Sequence, residues 1–76
     1  MVEYKYLGHD FEYAKYCVKA EPNHVFEYEK TAYRLADEVN GEVVELYTTH
    51  LWEINFVTED ECEFIGYGVI KDAELL

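Results

Sequence analysis

Seventy-six residues, half of them hydrophobic, suffice for one small domain and exclude two. Seventeen acids against six bases leave a formal charge of −11, which argues against direct binding to nucleic acid through the net field. Eight tyrosines, four phenylalanines and one tryptophan separate the chain from disordered acidic tails, which are poor in aromatics. No run approaches the roughly 18 apolar residues of a membrane span, and Met1-Val2-Glu3-Tyr4 lacks the features of a signal peptide, so a soluble cytoplasmic domain is expected.

Val2 to Leu7 alternates Val2, Tyr4 and Tyr6 with Glu3 and Lys5, the period of a half-buried strand. Gly8-His9-Asp10 then reads as a turn. Phe11 to Ala20 carries two patterns: a helical stripe of Phe11, Ala14, Cys17 and Val18, and the strand-like content of Tyr13, Tyr16, Cys17 and Val18. The short link favours the strand, over about residues 12–20, in an antiparallel hairpin with the first segment.

Glu21-Pro22-Asn23 punctuates the chain with Asn23 as a candidate N-cap, and Tyr28, Ala32, Leu35, Ala36 and Val39 recur at helical spacing. The pattern predicts a helix of about sixteen residues, closed by Asn40-Gly41 with glycine in the left-handed conformation. From Glu42 the period becomes two, with Val44 and Leu46 on one face and Glu45 and Tyr47 on the other. Thr48-Thr49-His50 turns into a further strand, Leu51 to Val57, with Trp52, Ile54 and Phe56 facing the core. After the polar turn Thr58 to Glu61, Cys62 to Ile70 reads as the last strand, in which Gly66 and Gly68 mark a bulge or make room for a bulky neighbour. Lys71 to Leu76 is a short tail. The order β-β-α-β-β-β predicts an α+β two-layer domain: an antiparallel sheet of about four to five strands with one helix packed on one face. The other face is expected to meet solvent and to collect tyrosines and glutamates.

Only Cys17 and Cys62 are present, fewer cysteines than a disulfide scaffold of this size uses, and both read as packing thiols. His9, His24 and His50 are scattered and lack the paired spacing of a zinc site, Thr58 to Glu63 lacks a calcium loop, and Gly66-Tyr67-Gly68 lacks the third glycine of a phosphate cradle. There is no serine, and a cysteine–histidine pair would have to be assembled from distant positions. The reading is therefore non-enzymatic, without cofactor or metal.

Charge is the sharper signal. Residues 35–70 hold nine acids and no base. Mutually repelling carboxylates destabilise a fold at low salt, so a binding role is expected for them. We expect this half to imitate a nucleic-acid backbone, offering Glu45, Glu53, Glu59, Asp60, Glu61 and Glu63 to the Lys and Arg groove of a basic nucleic-acid-binding protein. Same-face strand positions lie roughly 7 Å apart, on the scale of successive phosphates, a spacing that Glu59, Glu61 and Glu63 would share. Tyr47 and Tyr67 would add amphipathic contact area. In size, acidity and lack of catalytic motif the chain resembles the small inhibitors that phages and mobile elements encode against host nucleases, such as anti-CRISPR and anti-restriction proteins. That resemblance is of composition; it implies a phage-encoded inhibitor of a nuclease-type protein in the host cytoplasm and assigns no residue. The alternative class is an adaptor or subunit that docks by a tyrosine-bearing sheet face or adds a strand to a sheet edge. A homodimer is compatible with either.

Overall fold

The computed structural model describes residues 2–10, 13–19, 23–50, 52 and 61–76. The described elements are β1 (Tyr4–Asp10), β2 (Tyr13–Val18), α1 (Glu29–Val39), β3 (Glu42–Thr48), β4 (Glu63–Lys71) and β5 (Glu74–Leu75). The strands form one sheet in the order β1-β2-β3-β4-β5. An α+β domain with one helix on the sheet is therefore what the chain builds. The sheet is mixed, however, and not antiparallel throughout: β2 and β3 run parallel, with Ala14 opposite Val44 and Val18 opposite Thr48. The reason is the chain path, since α1 lies between these two neighbouring strands and carries the chain back to start β3 beside the start of β2.

Sheet faces follow from register. Ala14, Tyr16 and Val18 of β2 share a face with Val44 and Leu46 of β3, where Val18, Val44, Leu46 and Leu75 form a buried cluster flanked by Val2, Tyr4, Val25, Ile65 and Ile70. This is the face turned away from α1, and it is enclosed, against the expectation of a solvated surface. Curling closes it. β1 and the β4–β5 turn belong to opposite ends of the strand order, yet the Tyr4 hydroxyl donates to the Ala73 carbonyl at 2.6 Å. A second cluster joins Ala32 and Ala36 of α1 to Val43 and Val69, with Tyr13, Phe26, Leu35, Val39, Tyr67 and Leu76 around it. Two small apolar layers thus share β3 and β4, the most heavily buried strands.

Several local expectations are corrected. Gly8, His9 and Asp10 continue β1 instead of turning it, pairing with Lys15, Ala14 and Tyr13; the register slips between Tyr6 and Gly8, and Gly8, at φ 135°, absorbs the bulge. The helix begins at Glu29, not after Asn23, and Tyr28 occupies the capping position without a side-chain bond. The preceding residues are committed elsewhere: Phe26 exchanges two backbone hydrogen bonds with Tyr67, at 2.8 and 2.9 Å, and so runs along the edge of β4. At the other end Asn40, not Gly41, takes the left-handed conformation (φ 59°), and the Gly41 N–H reaches back to the Ala36 carbonyl at 2.9 Å. No basic residue occupies the last helical turn, but Lys71 from β4 donates to the Val39 carbonyl and supplies a cation there.

The carboxyl-terminal tail is part of the fold, because Leu75 is buried in the first cluster and the Leu76 N–H bonds the Val69 carbonyl. Trp52 lies in a turn, and the rest of the expected strand Leu51 to Val57 falls outside the described residues. The Lys5 ammonium donates to the Trp52 carbonyl at 3.2 Å and stands 4.8 Å over its ring. No helix among the described residues is long and apolar enough to cross a membrane.

Candidate functional site

The helix-bearing face is only partly covered. Eleven helical residues span about 16 Å, and their buried side chains, Ala32 and Ala36, sit over Val43 and Val69 near the start of β3. Further along, the pleat turns Glu45 and Tyr47 of β3 to this same face, with Tyr67 and Phe64 of β4 opposite them in register. A register shift at Leu46/Tyr47 brings Phe64, not Ile65, beside Tyr47. The result is a row of four rings in edge-to-face contact: Tyr13 to Tyr67 at 6.3 Å, Tyr67 to Phe64 at 5.4 Å, and Phe64 to Tyr47 at 5.5 Å between centroids. Phe64 remains 46% exposed, high for a ring with two aromatic neighbours.

Carboxylates are set into this row. The Tyr47 hydroxyl donates to Glu45 Oε1 at 2.7 Å, which fixes the carboxylate of a half-buried residue in the middle of the face. The Tyr13 hydroxyl is hydrogen-bonded to Glu29, in the first turn of α1, and to Tyr33. We expect Tyr47→Phe to leave the fold intact and to lower stability in urea by about 1 kcal/mol, the usual net value of one such bond. An unchanged midpoint would mean that water holds Glu45 equally well.

Two hydroxyls of this face, those of Tyr13 and Tyr67, resist ionisation. Hydrogen bonding to Glu29 drives the Tyr13 pKa well above its ordinary value; burial raises that of Tyr67, helped by the negative charges of Glu29 and Glu45. On the inner face, burial likewise raises Tyr16, with Tyr4, Tyr6 and Glu42 adding to it. A tyrosine whose pKa is higher folded than unfolded gives stability that is complete below the unfolded value, about 10, and lost as pH rises through the folded one. The Tm should therefore fall on raising pH from about 9 to 11, and less steeply in Tyr13→Phe, which has one such group fewer. Equal slopes would contradict the Glu29 contact.

Of the residues expected to carry the contact, the structure brings Glu45, Tyr47 and Tyr67 together on one face. Glu63 is the first residue of β4, exposed, opposite Thr48 at the far end of β3. Glu61 is exposed in a short 3₁₀ turn ahead of the strand, so Glu61 and Glu63 do not form the expected strand repeat. Glu53, Glu59 and Asp60 lie outside the described residues. The described acids of residues 35–70 are strung along β3: Asp37, Glu38 and Glu42 near its start, Glu45 midway, Glu61 and Glu63 near its end. That is a span of roughly 20 Å, a strip and not a cluster. Tyr13, Glu29, Tyr33 and Phe64 were missed as site residues. Phe64 carried a signal, since strand parity places it on the same face as other odd-face rings once the bulge is known; Glu29 and Tyr13 meet only through the tertiary fold.

Two other features bear on binding. A cleft of about 470 Å³ is lined by Tyr6, Tyr16 and Tyr33 with Asp37 and Glu42. The outer edge of β4 is occupied by β5 at Ile70 and Lys71 and by Phe26 at Tyr67, and β1 carries a bulge, both of which discourage strand addition there. Among the described residues no group of three histidine, cysteine or acidic side chains is placed to hold a metal ion. Set against models of known protein families, curated proteins and solved structures, the chain matches none of them.

Proposed function

We propose that this domain is a non-enzymatic binding protein that blocks a basic, nucleic-acid-binding protein, presenting carboxylates where that partner receives phosphates. The observation that carries the reading is the Glu45 carboxylate fixed by Tyr47 within a half-exposed aromatic row, in a chain of net charge −11. A carboxylate held in place accepts a charge-assisted hydrogen bond without first losing rotamer entropy. Rigid rings beside it add contact area at small entropic cost. The strip along β3 suits an extended basic groove better than a single basic pocket.

Affinity capture with the tagged protein tests this, using matched washes at low and high salt and with added DNA. The expected outcome is a nucleic-acid-binding protein released both by salt and by DNA. A second reading, an adaptor that docks by its aromatic row, is favoured by the exposure of Phe64. It predicts a partner that survives high salt, ignores DNA, and is lost on Phe64→Ala.

A further inference from the structure

The two cysteines lie forty-five positions apart in sequence, yet their sulfurs are 3.8 Å apart, in van der Waals contact. Cys17 is in β2, opposite Tyr47 in the parallel register, and its side chain is fully buried. Cys62 is half-buried and lies one residue ahead of the β3–β4 ladder, whose last pair is Thr48 with Glu63. A disulfide needs the sulfurs at about 2.05 Å. The missing approach can come from a side-chain rotation at Cys62, which lies outside the β3–β4 ladder and leaves its last pair, Thr48 with Glu63, in place. Cys62 also lines a shallow recess with Thr48, Thr49, His50, Glu61 and Glu63, so reagent can reach one sulfur while the other stays covered.

We propose that Cys17 and Cys62 form a redox-reactive dithiol site that closes to an intramolecular disulfide by exchange with a low-molecular-weight disulfide. The asymmetry of burial sets the order of events. The Cys62 thiol loses its proton to solvent and its thiolate attacks the small disulfide, forming a mixed disulfide and expelling one thiolate, which takes up a proton. Cys17, already in contact, then loses its proton and attacks Cys62 Sγ; the Cys17–Cys62 bond forms, the mixed disulfide breaks and the second small thiol leaves. The protein is oxidised by two electrons and the small disulfide is reduced to two thiols. The bond would tie β2 to the entrance of β4 across α1 and β3, a long loop, and long loops are the ones whose closure most constrains the unfolded chain.

Cystamine is the suitable probe, because its ammonium groups suit a surface of this charge. After incubation of the native protein, alkylation of remaining thiols and intact-mass analysis should show a monomer lacking two hydrogens, carrying no adduct and no alkyl group. Peptide mapping should join Cys17 to Cys62. Cys17→Ala should stop at a stable mixed disulfide on Cys62, and Cys62→Ala should stay unmodified because the remaining sulfur is covered. The oxidised wild type should melt at least about 10 °C higher than the reduced protein. Two adducts on the native wild type, crosslinked dimers, a bond that forms only in denaturant, or an oxidised form with an unchanged or lower Tm would each overturn the proposal.

Discussion

Replacing Gly66 with alanine should cost about 3 kcal/mol, a large share of the roughly 4–11 kcal/mol available to a chain of this length. Gly66 sits at φ 149°, where a side chain is strained, and a Cβ built there would lie 2.6 Å from Val25 Cγ1 and 2.8 Å from the Phe26 carbonyl oxygen. That oxygen accepts the Tyr67 N–H, so Phe26 cannot retreat without breaking the bridge that closes the edge of β4. Gly8 is the control. Its φ is 135°, but nothing stands within 4 Å of an added Cβ, so Gly8→Ala should cost only the backbone strain, about 1–2 kcal/mol. Urea unfolding of the two variants decides between them: equal costs would mean that residues 25 and 26 do not pack on β4 as described. Because Tyr67 is held by this same bridge, the Gly66 variant should also weaken partner binding beyond its effect on stability.

The second large effect concerns binding itself. Converting Glu45, Glu61 and Glu63 together to glutamine should weaken association with the captured partner by about tenfold to a hundredfold at low salt, from the loss of close charge pairs. Thermal stability should hold or rise, since the change relieves repulsion in a protein of charge −11. The glutamine carbonyl can still accept from Tyr47, so the aromatic row should keep its arrangement. Stability and affinity moving in opposite directions separates a binding role from a structural one. A variant that binds as the wild type does would leave the carboxylates with no part in recognition.

Much of the fold is legible in local pattern, and the failures have a common source. The alternation Val44-Glu45-Leu46-Tyr47 sorts these four side chains onto the right two faces of β3, but the helix expected over the apolar face packs on the other one, over Val43. Gly66 and Gly68 signal a bulge or a close approach, and the structure has both: the register shifts beside Gly66, and a Cβ on Gly68 would meet Leu46 and Leu75. What failed depends on contacts distant in sequence. The helix starts later than its periodicity suggests because Phe26 is paired to Tyr67, and tertiary pairing overrides propensity. Gly8 looked like a turn because a bulge glycine and a turn glycine need the same backbone freedom. The parallel β2–β3 pair did have a signal, the helix between the two strands, which an antiparallel reading ignored. Leu75 and Leu76 likewise announced that the tail packs.

The site was legible in part for the same reason. Glu45, Tyr47 and Tyr67 follow from strand parity, whereas the partnership of Tyr13 with Glu29 joins β2 to α1 and no spacing rule predicts it. Curling also changed which face was available. A flat sheet would have left its second face to solvent; this one wraps it around Leu46 and Leu75 with Tyr4 and Tyr16 packed against them, while Glu45, Tyr47 and Tyr67 lie on the face that carries the helix.

On the proposed function, the partner recognises the negative charge strung along β3, of which Glu45 is held by Tyr47 on the helix-bearing face and Glu63 lies at the far end of the strand. The most direct test is the dissociation constant for the captured partner, measured against salt concentration for the wild type and for the variant with Glu45, Glu61 and Glu63 changed to glutamine. The wild-type affinity should fall at least roughly tenfold between about 50 and 300 mM salt, and the variant should show both weaker binding at low salt and a flatter dependence. A wild-type affinity independent of salt, or identical slopes for the two proteins, would contradict the charge-mimic account and assign recognition to the aromatic row.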